Sequence, residues 1–134
     1  MNGKIVFVVP DEKLANIAGS VIRELNESIE VYQGSFNEGL RLAVQAVDDG
    51  ANIIISRGGT GSLIKKNIEI PVVNIEYGGY DAINSVSKAI EYSNVIGIIG
   101  FEDLALAYKK ASPILEKTFS CKIFVNHIRT EKEI

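Results

Sequence analysis

The run Ile53-Ile54-Ile55-Ser56-Arg57-Gly58-Gly59-Thr60-Gly61-Ser62 gathers the residue types that hold anions. An apolar stretch delivers the chain to a cluster of glycines. Glycines remove side chains, so several backbone N–H groups can point at one spot. Where such a turn opens a helix, the helix N-terminus adds partial positive charge. Arg57 adds a full charge with a fork that matches a carboxylate or a phosphate. Ser56, Thr60 and Ser62 offer hydroxyls. The sum is a cradle for a small anion, built on Ser56, Arg57, Gly58, Gly59, Thr60 and Gly61. The bland alternative is a tight turn with a solvated arginine. Spacing excludes two nucleotide loops. A Walker A loop needs a Gly-Lys pair, and Lys65 and Lys66 lie too far downstream. The dinucleotide pattern G-x-G-x-x-G/A fails because Gly59-Thr60-Gly61-Ser62-Leu63 is followed by Ile64, where helix packing wants a small residue.

Other residues complete the candidate site. Pro10 and Asp11 follow the first apolar run and form a possible second wall, or simply a helix start. Glu76 sits at a strand end, and Tyr80 and Tyr77 are placed to line a cleft, or to pack. Asp81 reads as an N-cap. No catalytic set emerges. The single His127 supplies no Ser-His-Asp arrangement, and with Cys121 it is too little for a structural zinc site. No cofactor motif is present. Lys109-Lys110 reads as a solvated helix face.

These residues need elements to position them. Lys4–Val9 is a continuous apolar run, the pattern of a strand buried on both faces. Leu14, Ile17, Ala18, Val21, Ile22 and Leu25 then share one helical stripe, capped by Asp11. Further strands are expected at Ile29–Gln33, Asn52–Ser56, Pro71–Ile75, Val95–Gly100 and Lys122–Val125. Helices are expected after a candidate N-cap at Asn37 and ending near Gly50, from Ser62 to Asn67, after a cap at Asp81 through about Glu91, and from Leu104 to about Lys117, the last bent or divided by Pro113. This alternation argues for an α/β fold with a doubly wound parallel sheet. The flavodoxin-like order 2-1-3-4 puts the switch point between strands 1 and 3, beside the glycine run. Residues 1–93 read as the first lobe and residues 94–134 as the start of a second. Thr130-Glu131-Lys132-Glu133 reads either as a solvated charged tail or as a capping box, and on the second reading the chain stops where a helix would begin.

The chain has 134 residues, 46% hydrophobic and 23% charged, which excludes general disorder. One cysteine excludes an internal disulfide and makes the reducing cytoplasm the default compartment. No apolar stretch approaches the ~20 residues that cross a bilayer. A net charge of −3 argues against direct nucleic-acid binding.

Five segments occur in a telling order: Ser56-Arg57-Gly58-Gly59-Thr60, Ile70-Pro71-Val72-Val73, Ile75-Glu76, Gly79-Tyr80-Asp81 and Ile98-Ile99-Gly100-Phe101. The series resembles the N-terminal sensor domain of the propionate catabolism activators, NtrC-type sigma-54-dependent transcription regulators, over roughly Lys4 to Leu104. The resemblance implies a two-lobed receptor with a layout like that of periplasmic binding proteins. It implies a small anionic signal such as a 2-methylcitrate-like acid, and attached ATPase and DNA-binding domains in the full-length regulator. Ser56 to Thr60, Tyr80 and Asp81 match its motifs, whereas Gly61 and Gly78 stand where other small or apolar residues are expected. The family domain is longer, with further strands in its second lobe.

The functional expectation is an anion sensor that signals by lobe closure, in the cytoplasm, with no membrane contact. The alternative is a small-acid enzyme of racemase or lyase type using Glu76 and Asp81 as an acid-base pair. A homodimerisation module is the third reading.

Overall fold

A computed structural model of the chain describes residues 3–129. Within them strands and helices alternate throughout, in two compact units, Met1–Ile75 and Glu76–Ile134.

The first unit carries β1 (Lys4–Val9), β2 (Ile29–Gln33), β3 (Ala51–Arg57) and β4 (Val72–Ile75) in one sheet of order β2-β1-β3-β4. All its pairings are parallel, so the expected topology stands. The sheet is clothed by α1 (Glu12–Leu25), α2 (Phe36–Asp48) and α3 (Gly58–Asn67). β1 has no polar alternation because both its faces are covered. Val6 and Val8 pack with Ala43 and Ala46 of α2, Ile54 of β3 and Ile64 of α3. Phe7 and Val9 face the other way, against Ala18 of α1.

Three local expectations need correction. The apolar arc of α1 is wider than its contact with the sheet. Leu14, Ala18 and Ile22 pack inward, whereas Ile17, Val21 and Leu25 stay exposed. The α2 helix begins at Phe36, with Ser35 rather than Asn37 as its N-cap. Third, the glycine run is no loop ahead of a helix at Ser62, because α3 starts at Gly58.

The second unit contains α4 (Gly79–Ala89), β5 (Val95–Phe101), α5 (Glu102–Phe119) and β6 (Lys122–Ile128), with β5 and β6 paired in parallel. Its core joins Ala82 and Val86 of α4 to Ile96, Tyr108, Leu115 and Cys121. The α4 helix therefore packs with the elements after it, and the division falls after Ile75 rather than after residue 93. Pro113 lies inside α5 without ending it. A proline there leaves the carbonyl four residues earlier without its helical donor, and the Ser112 hydroxyl donates to that Lys109 carbonyl at 3.0 Å. The expected capping box at residues 130–133 lies outside the described residues.

Candidate functional site

The site is built where β1 and β3 part. Their register runs through Ile5–Ile53, Val6–Ile54 and Phe7–Ile55. One residue further on, the buried Ser56 hydroxyl donates to the Val8 carbonyl at 2.8 Å, holding the two strand ends together. The exit of β2 is tied to the same edge, because the Gly34 amide donates to the Val9 carbonyl at 2.9 Å. Three connections thus leave one edge of the sheet: Pro10-Asp11, Gly34-Ser35, and Arg57 into α3. This is the carboxyl edge beside a switch point, where open α/β sheets take their ligands.

The glycine run forms the first turn of α3, with Arg57 at its N-cap. Gly58 is buried with φ +63°, a left-handed conformation that favours glycine. The amides of the first three helical residues, Gly58, Gly59 and Thr60, precede any helical acceptor. Gly61 lies one step beyond, where its amide can reach the Arg57 carbonyl. Its own lack of a side chain has another cause. A Cβ there would overlap the Asn74 side chain of β4.

The three hydroxyls are used within the fold. Ser56 serves the β1–β3 junction. Ser62 Oγ donates to the Gly58 carbonyl at 3.1 Å. The buried Thr60 Oγ1 accepts the Phe36 amide at 2.9 Å. Each of these hydroxyls thus has a partner inside the fold, and those of Ser56 and Thr60 are buried.

Charge sets α3 apart from the other helices. Glu12 of α1, Glu38 of α2, Asp81 of α4, and Glu102 and Asp103 of α5 all place carboxylates in a first turn. The first turn of α3 has none, and no side chain caps it. Asp11 already serves α1, accepting the Leu14 amide at 2.8 Å. Glu38 is paired with Arg41 at 2.7 Å, and that hydrogen bond holds its carboxyl below the usual carboxylate range. Asp81 is the third residue of α4 rather than its N-cap, and its carboxylate accepts the Gly78 amide at 3.1 Å. The first turn of α3 therefore differs from those of the other described helices in having no carboxylate of its own at the positive end of the helix dipole.

Ser56, Arg57, Gly58, Gly59, Thr60 and Gly61 form one contiguous cluster in the first unit, with Pro10 and Asp11 on the neighbouring strand exit. Glu76 opens the second unit, and Tyr80 lies exposed in the first turn of α4. Cys121 is buried and His127 exposed. Phe36 was not singled out from the sequence. It has φ +48° at the start of α2, a conformation costly for a bulky residue. Its faint signal is the pair of glycines around it. Gly39 approaches so closely that a Cβ would lie 2.7 Å from the Gly34 carbonyl and 2.5 Å from Thr60 Cγ2.

The sequence profile of the propionate catabolism activators matches residues 23–134. The chain belongs to that family. Its fold is similar to that of an NtrC family transcriptional regulator from Clostridium acetobutylicum, with a TM-score of 0.75 and 25% identity. That likeness covers 100% of this chain and 69% of the other. The chain is thus a domain of the N-terminal kind found in transcriptional activators, and both comparisons are regulatory proteins. Among the described residues, no helix is long and apolar enough to cross a membrane.

Proposed function

We propose that this chain is a cytoplasmic sensor domain for a small carboxylic acid of the 2-methylcitrate type. A carboxylate of the ligand docks on the Gly58–Thr60 amides, and Arg57 binds the same or a second carboxylate. A ligand that favours a closed arrangement of the two units shifts the population toward it, and attached ATPase and DNA-binding domains read that shift. Glu76 and Tyr80 are the residues through which the second unit would take part. The reaction is binding without turnover.

One observation supports this reading above the rest. Alone among the helices described, α3 carries neither an acidic first turn nor a side-chain cap, while its N-cap residue is an arginine. An anion at a helix N-terminus gains about 0.3–1 kcal/mol, and up to ~2 kcal/mol where partly buried. A charge-assisted hydrogen bond from arginine adds about 1.5–3 kcal/mol.

The test is thermal unfolding across a panel of di- and tricarboxylic acids that includes citrate and 2-methylcitrate. The expected result is a rise in melting temperature that Arg57→Ala removes. A folded wild-type chain whose melting no acid in the panel changes overturns the proposal.

A further inference from the structure

Thr60 matches the family motif and sits among the residues expected to touch the ligand, yet its hydroxyl oxygen is turned to a different task. It accepts the backbone amide of Phe36, the first residue of α2, at 2.9 Å. Its methyl group faces Gly39 one turn later, so closely that a Cβ on Gly39 would lie 2.5 Å from Thr60 Cγ2. Thr60 itself is 3% exposed. The first turn of α3 is thereby bolted to the first turn of α2 through one hydrogen bond and one van der Waals contact.

Two left-handed residues flank this bolt. Gly58 begins α3 at φ +63° and Phe36 begins α2 at φ +48°. For glycine that conformation carries no steric cost. For phenylalanine it is disfavoured and persists only where the surroundings over-determine it. Thr60 Oγ1 accepts the amide of this same residue, so the bond is one of the contacts that hold the turn in which Phe36 takes that conformation.

We infer that Thr60 is a positioning residue for acid binding: through its hydrogen bond to Phe36 it fixes the first turn of α2 against the first turn of α3, and so sets the aim of the Gly58–Thr60 amides. This rests on the proposed anion seat. An amide cluster pays for loose aim directly, because each hydrogen bond weakens steeply as its angle opens. Valine keeps the volume of Thr60 and loses the acceptor, whereas serine keeps the acceptor and loses the methyl group.

The experiment compares wild type, Thr60→Ser, Thr60→Val and Ile64→Val in the full chain. Ile64 is a fully buried α3 residue away from the first turn, and its truncation is a stability control. Two readings are taken: calorimetric titration with 2-methylcitrate, and the amide resonances of Phe36 to Gly39 without ligand. Thr60→Val is expected to weaken binding about fivefold or more, the scale of one hydrogen bond, and to shift or broaden those resonances. Thr60→Ser is expected to restore both toward wild type, and Ile64→Val to bind normally while folded. Wild-type binding that survives unchanged in Thr60→Val overturns the positioning role and leaves the anion seat standing. Equal weakening by Thr60→Val and Ile64→Val also overturns it, as a plain stability effect. No binding by folded wild type overturns the seat itself, and the positioning role with it.

Discussion

The Ser56 hydroxyl donates to the Val8 carbonyl across 2.8 Å, just beyond the last pair of the β1–β3 ladder, Phe7–Ile55. A side chain thus continues what the backbone leaves off. Ser56 is fully buried, and no water competes for that carbonyl. Ser56→Ala should lower stability by about 1–2 kcal/mol, the net value of a buried hydrogen bond plus the penalty of a deprived acceptor. Urea titration of both chains measures the difference. A variant with an unchanged midpoint would show that the junction is held by packing alone.

Gly61 and Asn74 form a second coupled pair. A methyl group on Gly61 would collide with the Asn74 side chain, with the backbone of Ser56 only 3.3 Å away on another side. Gly61→Ala should therefore cost about 1–3 kcal/mol by overpacking, despite its gain in helix propensity. Asn74→Ala should relieve most of that cost in the double variant. A double-mutant cycle checks the coupling, and strict additivity would place the clash elsewhere.

Much of this arrangement was legible in the sequence. The runs Ile5–Val9 and Ile53–Ile55 are apolar without alternation, so a doubly covered parallel sheet follows from periodicity. The order of elements then leaves few topologies. The glycine run stood out for the same reason that it works, the absence of side chains. Less legible were features that depend on contact across the fold. The start of α3 at Gly58 contradicts the low helix propensity of glycine, and tertiary packing of Thr60 and Gly61 overrides it. The hydroxyls of Ser56, Thr60 and Ser62 advertise ligand contact in sequence, and only their partners reveal structural use. The left-handed Phe36 leaves only the faint signature of the glycines at 34 and 39, since phenylalanine itself disfavours that conformation. The placement of α4 was equally hidden, because no change of composition marks the passage after Ile75.

The exposed cluster on β1 and β2 predicts a bell-shaped stability profile. Tyr32 donates to Glu30 Oε2 at 2.8 Å, and Lys4 Nζ lies 3.3 Å from the same oxygen. The hydrogen bond from Tyr32, with help from Lys4, lowers the Glu30 pKa from its ordinary 4.5. The same bond raises the Tyr32 pKa from its ordinary 10.0. For Glu30, the stabilisation is present above the unfolded pKa and is lost as pH falls through the depressed folded value. For Tyr32, it is present below the unfolded pKa and is lost as pH rises through the elevated folded value. The cluster therefore supports the fold between about pH 4.5 and pH 10. Glu30→Gln should flatten both flanks. Melting temperatures of the two chains across the full pH range provide the comparison, and parallel curves would show that these contacts do not persist in solution.

The head of α3, which has no acidic residue in its first turn, allows the proposed seat to be tested by giving the helix a carboxylate of its own. Gly59 is the second helical residue, a position where a carboxylate faces the helix dipole. Gly59→Asp would give α3 the acidic first turn that the other described helices already possess. Gly59→Asn has the same shape without the charge, so the pair isolates electrostatics from backbone entropy and fit. The aspartate variant should be more stable than the asparagine variant by about 0.3–1 kcal/mol at low salt, with the gap narrowing as salt is added. It should also lose the acid-induced rise in melting temperature, because its own carboxylate repels and displaces the ligand's. The asparagine variant should keep that response, at reduced strength if the added side chain crowds the seat. An aspartate variant that still responds fully to 2-methylcitrate would place the acid away from the α3 amides, however well the wild-type chain binds it.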